Sequence, residues 1–347
     1  MAAKFRRIAT EEAWSIPEVA KELGKTSRYP SNSLDLLLVK GVYDGDAGPG
    51  GGYASMHFLD GLLDVEKTRL PQMDQYGVDM HVLALTAPGV QMFDADTATE
   101  LAALANDRLA EICRKHPTRF VGLASMAPHS PKRAAREMER AINDLGLNGF
   151  MINSHTNSEY LDNPKYWPIL EAAEALDRPI YIHPRAASDL FAGPLRDYGM
   201  DSAMWGYGME VGTHAVRMMT SGLFDRFPKL KIVIGHMGEA VHFWLWRITF
   251  MNSRAQRIGR APKTELTMAE YFQRNFAITT SGVEDDLALD YSIRKIGVDN
   301  VMWAIDYPYQ PTAPAVEWMN KTPLSDADKA KVYGGNAERI FKIAPAG

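Results

Sequence analysis

Short apolar stretches that end in a histidine or a carboxylate recur along this chain and constrain its fold. Residues 231–239 read KIVIGHMGE, in which an apolar run meets a glycine, then His236, and then Glu239. A short apolar run bounded by glycine is typical of a buried strand. Polar residues that can bind a metal or transfer a proton follow three more such runs, and these residues are Glu11, His183 and Asp306. The pattern predicts parallel strands whose ends carry chemistry.

Eight such strands alternate with amphipathic helical patterns. We predict strands at residues 8–12, 80–86, 119–126, 148–154, 179–183, 231–236, 276–281 and 301–306. We predict helices at residues 60–76, 97–116, 131–145, 167–176, 210–227, 239–258, 268–275, 287–296 and 327–341. Near-continuous apolar strands that alternate with helices indicate a parallel sheet with its outer face covered. Eight βα units predict an α/β fold of the (β/α)8 TIM-barrel type, as a single domain over residues 1–347.

A doubly wound open sheet is the alternative fold. It would place a glycine-rich phosphate loop after the first strand, and Glu11, Glu12, Ala13 and Trp14 do not form one. Residues 14 to about 70 are predicted to be mostly irregular, with the predicted helix at residues 60–76 overlapping their end. They include a Gly-rich insertion at about residues 41–55, which is either a lid over the site or a disordered loop.

Composition excludes several classes of function. The chain has 347 residues, 46% of them hydrophobic, and a formal net charge of −5, which gives no electrostatic reason to expect nucleic acid or an acidic membrane as a partner. Cys113 is the single cysteine, so no internal disulfide forms, and a buried core position is expected for it. We find no signal peptide and no stretch of roughly 18 apolar residues that would span a membrane. A cytoplasmic protein is expected.

The carboxyl ends of barrel strands open onto one face, where residues far apart in sequence converge. Four polar residues are expected on that rim: Glu11, His183, His236 and Asp306. Burying such groups together without a partner cation is costly, and a divalent metal removes that cost. A mixed carboxylate and imidazole set suits Zn²⁺, Mn²⁺ or Fe²⁺ better than Ca²⁺. His155 follows the fourth strand and is predicted to face the pocket, and Trp14 is predicted to stack on an aromatic substrate.

The chain resembles the amidohydrolase superfamily, and within it the metal-dependent aromatic acid decarboxylases of the aminocarboxymuconate-semialdehyde decarboxylase branch. It is most similar there to γ-resorcylate, 2,3-dihydroxybenzoate and 5-carboxyvanillate decarboxylases. The residues that carry the resemblance are RIATEEA at 7–13, LALTAPGVQ at 83–91, YIHP at 181–184, GHMGE at 235–239 and AIDYP at 304–308. The resemblance covers nearly the whole chain and implies a (β/α)8 carboxy-lyase that acts on an ortho-hydroxybenzoate.

The resemblance implies one divalent ion per subunit, Mn²⁺ or Zn²⁺, held by Glu11, His183 and Asp306. The fourth strand ends in Asn153 and Ser154 rather than a lysine, which argues for a single metal. Asp306 is the first choice for the group that protonates the substrate ring. His236, supported by Glu239, is the alternative donor or the acid–base partner of Asp306.

Two arginines are candidates for substrate binding. The family arginine expected just before the helix that leads to the second strand is absent from residues 52–58, so Arg185 is a candidate to replace it. Arg247 matches a family arginine that reaches the substrate across a subunit interface, which implies a homodimer or homotetramer. Two alternatives stay open: a superfamily hydrolase that opens a lactone or amide with metal-activated water, and a barrel that only binds a ligand.

Overall fold

A computed structural model describes residues 5–26, 33–44 and 57–345. Eight parallel strands follow one another around the sheet in sequence order, which confirms the predicted (β/α)8 barrel. The strands are β1 Ile8–Trp14, β2 Met80–Leu85, β3 Phe120–Ser125, β4 Gly149–Asn153, β5 Ile180–His183, β6 Ile232–Ile234, β7 Phe276–Thr279 and β8 Val301–Met302. Each predicted strand is therefore present, and the last is much shorter than its apolar run indicated.

The helices surround the barrel. They are α1 Pro17–Thr26, α2 Asp35–Val39, α3 Phe58–Leu63, α4 Arg69–Tyr76, α5 Ala95–Lys115, α6 Pro131–Asn143, α7 Trp167–Ala175, α8 Gly206–Thr220, α9 Leu223–Arg226, α10 Leu245–Arg257, α11 Met268–Asn275, α12 Asp286–Ile296, α13 Thr312–Lys321, α14 Asp326–Ala330 and α15 Asn336–Ile340. Local sequence explains several helix starts: Asp94 accepts hydrogen bonds from the first turn of α5, and Thr267 and Glu270 form a capping box on α11.

Several helix predictions were wrong in detail: α13 was not predicted, and the helix predicted at residues 210–227 is divided between α8 and α9. The region predicted to be irregular contains α1, α2 and α3, and the helix predicted at residues 60–76 is split between α3 and α4. The helix predicted from residue 239 begins only at Leu245, because residues 236–240 have positive φ angles between 44° and 68°. Residues 45–55 of the predicted Gly-rich insertion lie outside the described residues, and the prediction of a lid falls on them.

Two layers of apolar side chains build the core. One lies between the strands and the helices, and Trp14, Tyr166, Phe224 and Trp303 are among its largest members. The other fills the barrel interior with inward-facing residues of successive strands, and it includes Ile8, Val82, Leu123, Met151, Val233 and Met302. Phe341 and Ile343 close this interior layer at the end opposite the strand carboxyl termini. Among the described residues, no helix combines the length and hydrophobicity needed to cross a membrane.

The seam between β1 and β8 differs from the other strand pairs. The seven other neighbouring pairs form parallel ladders, whereas β8 ends as a strand at Met302. Beyond it, the chain stays beside β1 through a bond from Thr10 Oγ1 to the Trp303 carbonyl at 2.8 Å, and another from Ala13 N to the Tyr307 carbonyl at 2.8 Å. These contacts bring the residues after β8 to the rim at which β1 ends.

Candidate active site

Glu11 lies at the centre of the rim, buried to 2% exposure. Its Oε2 atom accepts a hydrogen bond from Thr279 Oγ1 at 2.9 Å and further bonds from the hydroxyls of Tyr181 and Ser281. Its Oε1 atom has no hydrogen-bond partner among the described residues. A buried carboxylate oxygen without a donor is costly, and a bound cation would satisfy it.

A bulge in β1 aims this carboxylate. Ala9 pairs with His81 and Glu12 with Leu83, so β1 advances three residues where β2 advances two. Such a bulge adds a residue and changes the direction in which side chains point, and bulges are frequent next to active sites. Glu11 and Glu12 lie at this irregularity, and both are buried.

His183 ends β5 and points at Glu11. Its Nδ1 donates to the Pro184 carbonyl at 2.7 Å, which leaves Nε2 as the ring atom with the lone pair. That Nε2 lies 3.4 Å from Glu11 Oε1. Burial lowers the pKa of His183, so the ring is neutral near pH 7. An imidazole lone pair and a carboxylate oxygen that face each other repel unless a cation lies between them, and metal-binding histidines commonly donate their other ring nitrogen to a carbonyl in this way.

His236 enters the site from a left-handed turn that follows β6. Residues 236–240 all have positive φ, although only Gly238 among them lacks a Cβ atom. The left-handed conformation is unfavourable for residues with a side chain, so the surrounding structure must impose it. His236 Nδ1 hydrogen-bonds to Glu239 Oε1 at 2.8 Å, and Nε2 lies 3.6 Å from Glu11 Oε1.

Asp306 completes the cluster four residues after β8. It also has a left-handed backbone, with a φ of 78°, and its Oδ2 lies 3.9 Å from His236 Nε2. One ligand atom each of Glu11, His236 and Asp306 lies within 4.8 Å of the other two. His183 joins this group through its contact with Glu11, so the structure brings together all four residues predicted from the strand ends.

The charges of the cluster influence one another. Burial would raise the pKa of Glu11, but the charge of His236 and the hydrogen bonds from Ser281 and Tyr181 hold it below its ordinary value. Burial raises the pKa of Asp306 well above the usual range, against the effect of His236 and with a further contribution from Glu11. Burial opposes the charged form of His236, but Glu11 and Glu239 raise its pKa well above that of free histidine. Three carboxylates around two imidazoles form an environment that favours a divalent cation.

These residues fit a mononuclear metal centre. They offer an unsatisfied carboxylate oxygen, an imidazole lone pair and a second carboxylate, which is a donor set that suits Zn²⁺ or Mn²⁺. Asn153 and Ser154 at the end of β4 supply no lysine for a second metal, in agreement with the sequence.

A groove of about 940 Å³ opens above the cluster. His236, Glu239 and Asp306 form its base, while Glu11 and His183 lie beneath it. Its walls are mostly apolar and include Trp205, Tyr207, Met209, Val216, Trp244, Ile248 and Met251. Arg247 also lines this groove of its own chain. An apolar cavity with a few polar groups at its base is the usual form of a site for a small aromatic molecule.

Three other predicted substrate contacts have different surroundings. The Arg185 guanidinium is buried against Asp35, with Nε 3.0 Å from Oδ2, and its Nη1 donates to the His155 carbonyl at 3.3 Å. His155 uses both ring nitrogens, on Ala186 and Ser158, and burial lowers its pKa to about 4. Trp14 is 2% exposed and packs between β1 and the helices. These contacts favour structural roles for Arg185, His155 and Trp14 over direct substrate binding.

Several supporting residues were not singled out from the sequence. Tyr181 and Thr279 bond Glu11 from inside the barrel, and Ser281 bonds it from just beyond β7. A signal for them exists, because alternate residues of a strand share a face, and Tyr181 precedes His183 by two positions. Gly235, which lies against the Glu11 carboxylate, and Glu12 had no comparable signal in the sequence.

Comparison with known proteins gives a consistent result. The family described as amidohydrolase matches residues 56–343. The crystal structure of 5-carboxyvanillate decarboxylase from Sphingomonas paucimobilis is 55% identical and superposes with a TM-score of 0.94, covering 98% of this chain and 100% of that one. A 5-carboxyvanillate decarboxylase from Novosphingobium aromaticivorans DSM 12444, solved with manganese and 4-hydroxy-3-methoxy-5-nitrobenzoic acid, is 38% identical with a TM-score of 0.92, covering 97% of this chain and 96% of that one. A γ-resorcylate decarboxylase from Polaromonas sp. (strain JS666) is 38% identical over 293 residues, which cover 81% of this chain and 89% of that protein.

Proposed function

The chain belongs to the amidohydrolase family and is a carboxy-lyase, and on this premise we propose that it decarboxylates 5-carboxyvanillate with the help of one divalent metal ion. The observation that carries the proposal is the buried, unpartnered Oε1 of Glu11, which faces two imidazoles and lies beneath an apolar groove. The similarity to a 5-carboxyvanillate decarboxylase over nearly the whole of both chains supports this substrate over other ortho-hydroxybenzoates. The named relatives are decarboxylases, which disfavours the lactone or amide hydrolase.

Glu11, His183 and Asp306 are the proposed metal ligands. His236 is left out of this set because it lines the groove, with 22% of its side chain exposed, whereas the His183 side chain is 11% exposed and lies below the groove floor. When bound, a divalent ion would polarise the phenol and carboxylate oxygens of the substrate as a Lewis acid. Mn²⁺ is proposed over Zn²⁺, because manganese is present in the structure of the Novosphingobium relative.

In the proposed reaction, the ring carbon is protonated before CO₂ leaves. An aryl carboxylate does not lose CO₂ directly, since the phenyl anion left behind is too unstable. A proton added to the ring carbon that bears the carboxylate, helped by electron density from the ortho hydroxyl, makes that ring an electron sink. The C–C bond then breaks, its electron pair restores the aromatic ring, and CO₂ departs.

Asp306 is the proposed donor of this proton, because it lies at the groove base within 3.9 Å of His236. His236 would return a proton to Asp306 after each turnover, and Glu239 would hold the imidazole in the required orientation through its 2.8 Å bond. The apolar walls of the groove exclude water from the reacting carbon and orient the ring.

A second copy of the chain is proposed to cover the groove. The segment from the left-handed turn to the start of α10 exposes three large aromatic side chains: Phe243 at 63%, Trp244 at 54% and, in the first turn of α10, Trp246 at 68%. Contiguous exposed aromatic surface of this kind marks protein–protein interfaces. A homodimer or homotetramer would cover this aromatic surface and the groove. It would also bring Arg247 to the substrate of the neighbouring subunit. The cytoplasmic location stays a prediction from the sequence.

CO₂ release tests the function directly. The protein would be assayed with 5-carboxyvanillate, 2,6-dihydroxybenzoate and 2,3-dihydroxybenzoate, with an aryl lactone as the hydrolase substrate, before and after treatment with a chelator, and metal content would be measured in parallel. We expect CO₂ release to be fastest from 5-carboxyvanillate. Activity should be lost when the chelator removes the metal and should return when Mn²⁺ is added. Lactone opening without CO₂ release from any acid would refute the proposal.

A further inference from the structure

Asp306 is held on both sides by one side chain. The backbone N–H groups of its two neighbours, Ile305 and Tyr307, donate to the carboxylate of Glu12 at 3.0 Å to Oε1 and 3.1 Å to Oε2. Glu12 is 1% exposed, so both bonds lie in the protein interior. The residue between them, Asp306, is the one with a φ of 78°.

This carboxylate takes the place of a missing strand ladder. A left-handed residue interrupts an extended strand, and β8 stops at Met302. The N–H groups beyond it cannot all find carbonyls on β1, and buried N–H groups without acceptors are strongly unfavourable. Glu12 supplies the two acceptor oxygens, one for the N–H of Ile305 and one for the N–H of Tyr307.

Burial raises the pKa of the Glu12 carboxyl to about 8, and the positive charge of Arg69, which lies behind Glu12, favours its ionised form. The Arg69 side chain is fully buried, its Nη2 donates to the Ala13 carbonyl at 2.6 Å, and its guanidinium lies 4.4 Å from the centre of the Tyr307 ring. Arg69 therefore holds the residues that flank Glu12 and Asp306 in sequence. The β1 bulge that aims Glu11 into the site also turns Glu12 toward this seam.

We propose that Glu12 is a positioning residue that fixes the strained backbone of Asp306 and so sets the geometry with which Asp306 meets the metal and the substrate. This inference rests on the proposed role of Asp306. Glu12 follows the proposed metal ligand Glu11 in sequence, but its hydrogen bonds reach the site through the backbone of residues 305–307.

Glu12→Gln tests the proposal, because an amide offers one acceptor oxygen and leaves one buried N–H beside Asp306 unpaired. The affinity of the metal-free protein for Mn²⁺ and the visible absorption of its Co²⁺ form would be measured with the parent and an Asp306→Asn reference alongside. We expect the Mn²⁺ affinity to fall by about 10- to 100-fold, as for other supporting partners of metal ligands, and the Co²⁺ spectrum to change. Neither readout needs substrate, so a parent that binds metal but releases no CO₂ would refute the proposed function and leave this inference testable.

Asn336→Ala is the matched control. Asn336 is 2% exposed and its side chain also makes two bonds to the backbone near β8, to the carbonyls of Val298 and Val301, but at the end far from Asp306. It should lower the melting temperature while Mn²⁺ affinity and the Co²⁺ spectrum stay within about twofold of the parent. Unchanged affinity and spectrum in Glu12→Gln, or equal losses in Asn336→Ala, would overturn the inference. If Glu12→Gln does not fold, Glu12→Asp decides, since its shorter carboxylate should weaken Mn²⁺ binding several-fold.

Discussion

Gly235 lies so close to Glu11 that a Cβ atom at residue 235 would stand 2.5 Å from Oε2 and 2.8 Å from Oε1. Its φ of −79° is one that any residue adopts. Close approach, rather than backbone conformation, therefore requires glycine here, and the Glu11 carboxylate depends on the space that this glycine leaves.

Gly235→Ala should displace the Glu11 carboxylate with little backbone strain. Since a misplacement of about 1 Å near reacting groups can lower the rate by about 100-fold, we expect a fall in kcat of that order together with loss of bound metal. Turnover and metal content per subunit are the measurements. Gly193→Ala is the control, because a Cβ there meets no atom within 4 Å, and it should leave both unchanged. Full metal content and activity in the Gly235→Ala variant would show that Glu11 is free to move.

Arg185→Met should reduce stability without affecting substrate binding. Removal of one partner from the buried pair with Asp35 leaves a charge uncompensated, which typically lowers the free energy of unfolding by about 3–5 kcal/mol. Denaturant unfolding measures this loss, and KM for the acid substrate should change by less than about threefold in the folded enzyme. Arg247→Met provides the contrast, with a raised KM and little loss of stability. A strongly raised KM in the Arg185 variant would restore Arg185 as a substrate contact.

His214 should make the protein sensitive to mild acid. Burial lowers the pKa of its ring to about 3, and its Nε2 accepts a bond from Leu161 N at 3.1 Å. The unfolded chain takes up this proton near pH 6.5, whereas the folded protein does not, so stability is full above pH 6.5 and is lost as the pH falls toward 3.

At pH 5 this effect amounts to about 2 kcal/mol in the free energy of unfolding. Calorimetry of His214→Gln at pH 7.5 and pH 5 should show a smaller drop in melting temperature than in the parent. His57, whose side chain is 80% exposed, supplies the control His57→Gln, which should keep the parent's drop. Equal drops in all three proteins would refute the assignment.

A mixture of two impaired variants should recover activity if Arg247 acts across an interface. Asp306→Asn should be inactive, and Arg247→Ala should show little activity at a substrate concentration far below its raised KM, but subunit exchange places one intact Arg247 beside one intact Asp306. Random dimers would regain about a quarter of parental activity. Turnover after unfolding and refolding the variants together is the measurement. A mixture no more active than its components would place Arg247 in its own subunit's site or outside it.

The strand ends were readable from sequence because burial on both faces leaves near-continuous apolar runs, and polar residues that interrupt such runs stand out. Glu11, His183, His236 and Asp306 were all found in this way. The length of β8 was not readable, since residues 303–305 are as apolar as a strand, yet the left-handed Asp306 takes them out of the ladder.

Features fixed by tertiary contact left no local signal. Nothing in the propensities of Met237, Glu239 and Ala240 indicates positive φ, so a helix was predicted where a left-handed turn occurs. Arg185 was predicted to bind the substrate, and its ion pair with Asp35 left no local signal because the two residues are 150 positions apart in sequence. The reverse error occurred at residues 14–70, which were predicted to be irregular although α1, α2 and α3 lie there.

The site draws its parts from nearly the full length of the chain. Glu11 is on the first strand, Asp306 follows the last, and the barrel interior is sealed by Phe341 and Ile343. During synthesis, almost 300 further residues are therefore added after Glu11 before Asp306 is made. The proposed metal site would therefore not be assembled until the eighth strand joins the first, and metal binding would indicate that the barrel is complete.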